Sequence, residues 1–229
     1  MGDDATGRPP VRLDKFHREL EDLREKLLDL AQMAETAINQ SVTALLNRDA
    51  DLARQVISGD KAINDLEEFI DGECVRLIAL YQPVATDLRQ LMAVDHIIGE
   101  LERIGDLALN IAEEVVYLGQ FPPREYHRGL LIMTQKVLEM LRHSLQSFMH
   151  RDARRARQVC KADKEVEDLD QNITEDLLGL MVEDEAIPFG HSLIKILHHL
   201  ERSGDHTTNI AEQVVYMVEG ESIRHRCLG

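Results

Sequence analysis

The chain has 229 residues, 42 acidic against 26 basic, a formal charge of −16, and no tryptophan. Such a balance excludes nucleic-acid binding through clustered cations and favours metal ions or basic protein surfaces as partners. Its length suffices for one large helical domain or two small ones.

Residues 1–12 have no apolar core, which excludes a signal peptide, and read as a disordered tail. Leu20, Leu23, Leu27, Leu30, Ala34, Ala37, Ser41 and Leu45 then step by three and four, the seam of a first helix. Asn47-Arg48-Asp49 offers a cap, and a second helix runs to about Tyr81, where Gln82-Pro83 breaks it. In QPVATDLR, Asp87 and Arg89 suit the N-cap and an ion-pair partner of a third helix, which ends near Gly119 ahead of Pro122-Pro123. Asp152 and Pro188 mark two later helix starts, and Gly220 a last stop. Six helices result, in two sets of three, with no strand-like alternation. The fold class is all-α, two tandem three-helix bundles over 13–120 and 124–220, with a C-terminal tail at 221–229.

The two sets are copies. ERIGDLALNIAEEVVY, Glu102 to Tyr117, returns without a gap as ERSGDHTTNIAEQVVY, Glu201 to Tyr216, 99 residues later. Arg48-Asp49 and Ala53-Arg54-Gln55-Val56 return as Arg151-Asp152 and Ala156-Arg157-Gln158-Val159 at a spacing of 103. The second copy must therefore have a shorter connection or shorter flanking helix ends, around Gln82 to Asp87 of the first. A repeat that keeps acids, a glycine and an asparagine marks a duplicated functional element.

Glu102 and Asp106 lie one helical turn apart, as do Glu201 and Asp205. The preceding helices carry Asp60 with Asn64, and Asp163 with Glu167. Folded as antiparallel hairpins, Asp60 with Asp106 and Asn64 with Glu102 average to position 83, in the predicted turn. Asp163 with Asp205 and Glu167 with Glu201 average to 184, before Pro188. Each acidic pair thus faces its partner pair across a hairpin. Opposed carboxylates are costly unless water, arginine or metal compensates. Hard oxygen ligands suit iron, manganese, magnesium or calcium, with zinc as a further candidate. The competing reading is a solvated acidic face, with Arg103 and Arg202 as ion-pair partners.

The last helix has an apolar stripe of Leu193, Leu197, Leu200, Gly204, Ala211 and Val218, with Glu201 at its border and Asp205 nearly opposite. The carboxylates are expected to flank the core along a surface groove. Gly105 and Gly204 would admit a close neighbouring helix. His191, His198, His199 and His206 read as surface residues, with His198 or His206 as a candidate extra ligand. No Glu-x-x-His occurs, which weakens a buried di-iron oxidase. Phosphate-binding glycine loops and nucleophile elbows are absent. Cys74, Cys160 and Cys227 stand far apart without CxxC, which argues for a reducing compartment, with Cys160 as packing. No apolar run approaches a membrane span, so the expected location is cytoplasmic, without membrane insertion.

At LARQVISGDKAIND, QPVATDLR, LERIGD and LERSGDHTTNIAE the chain resembles the PhoU family, and the resemblance covers nearly its whole length. It implies two three-helix bundles related by a pseudo-twofold, a homodimer, and surface metal clusters. Iron is the leading metal, with zinc, manganese or magnesium as alternatives, at Asp60, Asn64, Glu102 and Asp106 and at Asp163, Glu167, Glu201 and Asp205. Asn64 replaces an acid of the full motif, which weakens the first site. The implied function is non-enzymatic. It is negative regulation of the phosphate-starvation response and of phosphate uptake, as an adaptor between the phosphate ABC transporter ATPase and a sensor histidine kinase. A carboxylate-bridged metal enzyme and a structural dimerisation module are the alternatives.

Overall fold

The computed structural model describes residues 10–181, 186–221 and 223. Six helices occupy them: α1 (Pro10–Asn47), α2 (Ala50–Tyr81), α3 (Ala85–Leu118), α4 (Gly129–His150), α5 (Ala153–Leu180) and α6 (Ile187–Glu219). No strand occurs among the described residues. Helix α1 begins at Pro10, inside the stretch read as a tail, and residues 1–9 lie outside the described ones.

Local chemistry sets the helix ends. The Asp49 carboxylate accepts from the amides of Asp51 and Leu52, and the Asp152 carboxylate from that of Arg155. Before each of these caps the chain turns through a left-handed arginine, Arg48 or Arg151. Left-handed Gln82 ends α2 ahead of Pro83, and Gly220, at φ 77°, ends α6. Asp87 is not the N-cap of α3. Val84 holds that position without a side-chain bond, while Asp87 lies in the first turn, 3.9 Å from His17. Arg89 instead donates to the Met217 carbonyl at 3.4 Å, tying α3 to the end of α6. Alanine at Asp49 or Asp152 is expected to cost about 1 kcal/mol each, read as a lower urea midpoint with an unchanged slope.

Helices α1, α2 and α3 pack as one bundle, α4, α5 and α6 as a second, and α3 lies against α6 to join them. Polar contacts at either end of this seam, Arg89 with Met217 and Lys195 with Glu114, show that α3 and α6 run antiparallel. One continuous apolar core results. The α1 seam is buried as expected except for Ala37, which is partly exposed, and Val218 leaves the α6 stripe for solvent.

The second copy is shortened in its helices. Helix α5 has 28 residues against 32 in α2, and α6 has 33 against 34 in α3. The connection itself is longer, since α2 and α3 are separated only by Gln82–Val84 whereas α5 ends at Leu180 and α6 starts at Ile187. Register near the acids is preserved because packing against the core fixes it, leaving the tips free to vary.

Candidate metal centres

Asp60 and Asp163 each sit on the inward side of their helix. In α5 the buried positions Ala156, Val159, Asp163, Val166 and Ile173 form one stripe, and in α2 Ala53, Val56, Ile63 and Ile70 bracket Asp60 in the same way. Asp163 is only 3 % exposed, so the expectation of a wholly superficial groove fails at this residue. Its neighbours are shallower: Glu167 and Glu201 are half-buried and Asp205 is exposed.

Glycine makes the approach possible. A β-carbon at Gly204 would lie 3.2 Å from Asp163 Oδ1, and one at Gly105 would lie 3.0 Å from Ile63 Cδ1 and 3.8 Å from Asp60 Oδ1. The two glycines therefore hold the hairpins close where the acids meet.

The four second-copy acids form one electrostatic unit. Burial, followed by the charges of Asp205, Glu167 and Glu201, pushes Asp163 up to about 7. Burial and Asp205 also raise Glu201, against the opposing pull of His198. In the first copy, burial and Asp106 raise Asp60, while burial, Asp106 and Glu67 raise Glu102. Asn64 donates to Asp60 Oδ2 at 3.1 Å, but Asp60 Oδ1 is buried with no hydrogen bond among the described residues. Arg103 and Arg202 remain exposed and close no ion pair among the described residues; Lys164 pairs with Glu167 at 2.9 Å and His198 stands 3.8 Å from Glu201, while Asp60, Glu102, Asp106, Asp163 and Asp205 close none among those residues. Among those residues no three His, Cys, Asp or Glu side chains already converge as a finished coordination shell. An orphaned carboxylate oxygen in one copy and a buried, charge-crowded aspartate in the other nonetheless suit a hard cation.

Two further pairs obey the same hairpin arithmetic outside the repeated motif. Asp71 with Asp95 averages to 83, and Asp170 with His198 to 184. Burial and a hydrogen bond to Asp71 raise Asp95, while burial raises Asp170 against the pull of His198. The stripe thus runs further toward each tip than the repeated motif alone indicates.

The histidines divide. His191 and His198 are exposed, and His198 Nδ1 lies 3.8 Å from Glu201. His199 and His206 are not surface residues: His199 Nδ1 is buried without a partner among the described residues, and His206 Nδ1 donates to Glu100 at 2.6 Å. That bond commits His206 to the α3–α6 seam. Cys74 and Cys160 are buried, and burial, then Asp95 and Asp71, push the Cys74 thiol up to about 12. Cys227 lies outside the described residues.

Comparison with known proteins gives a consistent picture. Residues 27–115 and 130–214 each match the family model described as PhoU domain. The phosphate-specific transport system accessory protein PhoU homolog of Aquifex aeolicus is 37% identical over 213 residues, covering 93% of this chain and 96% of the relative. The Escherichia coli accessory protein PhoU is 36% identical over 216 residues, 92% of this chain and 88% of its own. Crystal structures of PhoU from Pseudomonas aeruginosa and of the phosphate transport system regulatory protein PhoU from Streptococcus pneumoniae both superpose with a TM-score of 0.85. Their identities are 37% and 31%, over 90% of this chain and 100% and 98% of theirs.

Proposed function

The chain belongs to the PhoU family, and from that premise we propose that it is a non-enzymatic accessory protein of phosphate transport. It restrains phosphate uptake and represses the phosphate-starvation response. It does so as an adaptor between the ATPase of the phosphate ABC transporter and a sensor histidine kinase, and its carboxylate clusters hold metal. The observation that carries the metal part is Asp163, buried among Glu167, Glu201 and Asp205 at the register that Asp60, Glu102 and Asp106 share. Relatives described as accessory and regulatory proteins of phosphate transport support the rest. None of the helices among the described residues is long and apolar enough to cross a membrane.

Asp163, Glu167, Glu201 and Asp205 would hold the cation of the second site, and Asp60, Asn64, Glu102 and Asp106 that of the first, with iron foremost. Bound there, a cation supplies positive charge that offsets the facing carboxylates and cross-links the helices of each hairpin. The carboxylates orient the donor oxygens. Gly105 and Gly204 keep the helices close enough to share them, and the exposed rims at Asp106 and Asp205 form the docking surface.

The test is a doubly substituted chain, Asp163→Asn with Asp205→Asn, compared with the parent in phosphate-replete cells. Derepression of starvation genes and loss of kinase and ATPase from affinity pull-downs are expected. A metal-free variant that still represses would remove the metal from the mechanism, while a parent chain that recovers neither protein would remove the adaptor role. Asn64→Asp should tighten the first site by about tenfold in a metal titration, because it adds an anionic oxygen where an amide donates to Asp60.

A further inference from the structure

The two copies differ in charge along one groove. At a spacing of 103, Met33, Thr36 and Gln40 of α1 correspond to Lys136, Glu139 and His143 of α4. On the facing helices Asp51, Leu52 and Ser58 of α2 correspond to Arg154, Arg155 and Lys161 of α5. Residues 48–61 carry three Lys and Arg against three Asp, whereas 151–164 carry six against two, in a chain of net charge −16. Both copies have a cavity at this place, about 210 Å³ in the first and about 540 Å³ in the second. The first is lined by neutral glutamines and apolar side chains around Asp60, the second by charged ones.

Neighbouring cations are already committed. Lys136 pairs with Glu165, Arg151 donates to Gln90, and Arg157 grips Glu219 through two bonds of 2.6 Å. Asp152 spends an oxygen on the Arg155 amide. Arg154 and Arg155 make no side-chain hydrogen bond or ion pair among the described residues, and both line the cavity. Glu139 also lines it without a partner among those residues, and buried Met140 and Val159 form its floor.

Two uncommitted guanidinium groups match a dianion, and arginine forks fit phosphate oxygens bidentately. A volume of about 540 Å³ lies in the range of small-molecule sites and is far larger than a lone phosphate ion needs. The exposed Glu139 carboxylate at the rim can accept from a ligand hydroxyl, and the apolar floor suits a sugar or base face. We propose that the α4–α5 cavity binds a phosphorylated, hydroxylated small molecule of the nucleotide or sugar-phosphate class. Its phosphate sits at Arg154 and Arg155, and its hydroxyls face Glu139. This site is distinct from the carboxylate clusters, although Met140 of its floor packs toward Gly204, beside Asp163.

The experiment is isothermal titration of the full chain in chelator with adenosine diphosphate, adenosine, inorganic phosphate and an acidic peptide. Amide chemical-shift mapping accompanies it. Micromolar-range binding of the diphosphate is expected, at least tenfold tighter than inorganic phosphate, with shifts confined to α4 and the start of α5. Arg154→Ala with Arg155→Ala should weaken it at least tenfold while the melting curve stays unchanged, since neither side chain holds the fold. Glu139→Gln should weaken the diphosphate and leave inorganic phosphate unaffected. Absence of binding at millimolar diphosphate, shifts elsewhere on the molecule, or equal affinity for inorganic phosphate would overturn the assignment. So would binding of the acidic peptide alone.

Discussion

Metal-free protein is expected to gain stability as the pH falls from 8 to about 5.5, the reverse of an ordinary acid-labile fold. Asp163 drives the effect, because burial and its carboxylate neighbours raise it from 3.8 to about 7. Between those values the folded chain keeps a proton that the unfolded chain has released. Stability is therefore fully present below the unfolded value and is lost as pH rises through about 7. The full rise corresponds to about 4 kcal/mol, of which about 2 kcal/mol is recovered by pH 5.5, or roughly 5 °C in melting temperature for a chain of this length. Asp60, Glu102, Glu201 and Asp205 are raised too and push the same way. Asp163→Asn should flatten the slope and raise the pH 8 melting temperature in chelator. Because a cation requires the deprotonated carboxylate, metal-dependent stabilisation of the parent should grow across the same window. Melting curves in chelator that are flat or rise from pH 5.5 to 7.5 would sink the prediction, as would an Asp163→Asn variant that melts like the parent at pH 8.

How much of this is legible in sequence depends on which constraint fixes each feature. The facing of Asp60 with Asp106 and of Asp163 with Asp205 follows from counting residues about a hairpin turn, and it survives the different connections. The same counting finds Asp71 with Asp95 and Asp170 with His198 once it is extended beyond the repeated motif. Depth is less legible. The apolar stripe of α6 fixes the exposure of Asp205 but says nothing of Asp163, whose position depends on its own helix. The spacing Ala156, Val159, Asp163, Val166 carries that signal. Asp87 reads as a cap because acids commonly are caps, yet the residue ahead of α3 is set by Pro83 and the tight turn. His206 is the hardest case. Its burial depends on where α3 crosses α6, and no turn length fixes the register between the two bundles.

That crossing supplies the second large effect: Glu100→Ala should cost about 2–3 kcal/mol. Glu100 lies on α3, half-buried, and accepts from His206 Nδ1 at 2.6 Å and from Asn209 Nδ2 at 3.0 Å, both on α6. Burial alone would raise its carboxyl. The bonds from His206 and Asn209, with the His206 and Arg103 charges, outweigh burial and hold it below 4.5. The contribution is thus present above the usual value and is lost as pH falls through the folded one, opposite in sign to Asp163. Alanine leaves two half-buried donors without an acceptor at the point where the bundles meet. Glu100→Gln keeps an acceptor but not the charge and should cost about half as much. Denaturant unfolding in chelator separates this tie from any metal effect. A double-mutant cycle of Glu100→Ala with His206→Ala should give a coupling of about 1 kcal/mol or more. Additive effects would mean that the two side chains act independently. In that case the α3–α6 crossing would be held by the shared apolar core and by the contacts at its ends, Arg89 with Met217 and Lys195 with Glu114, without a polar clasp at its centre.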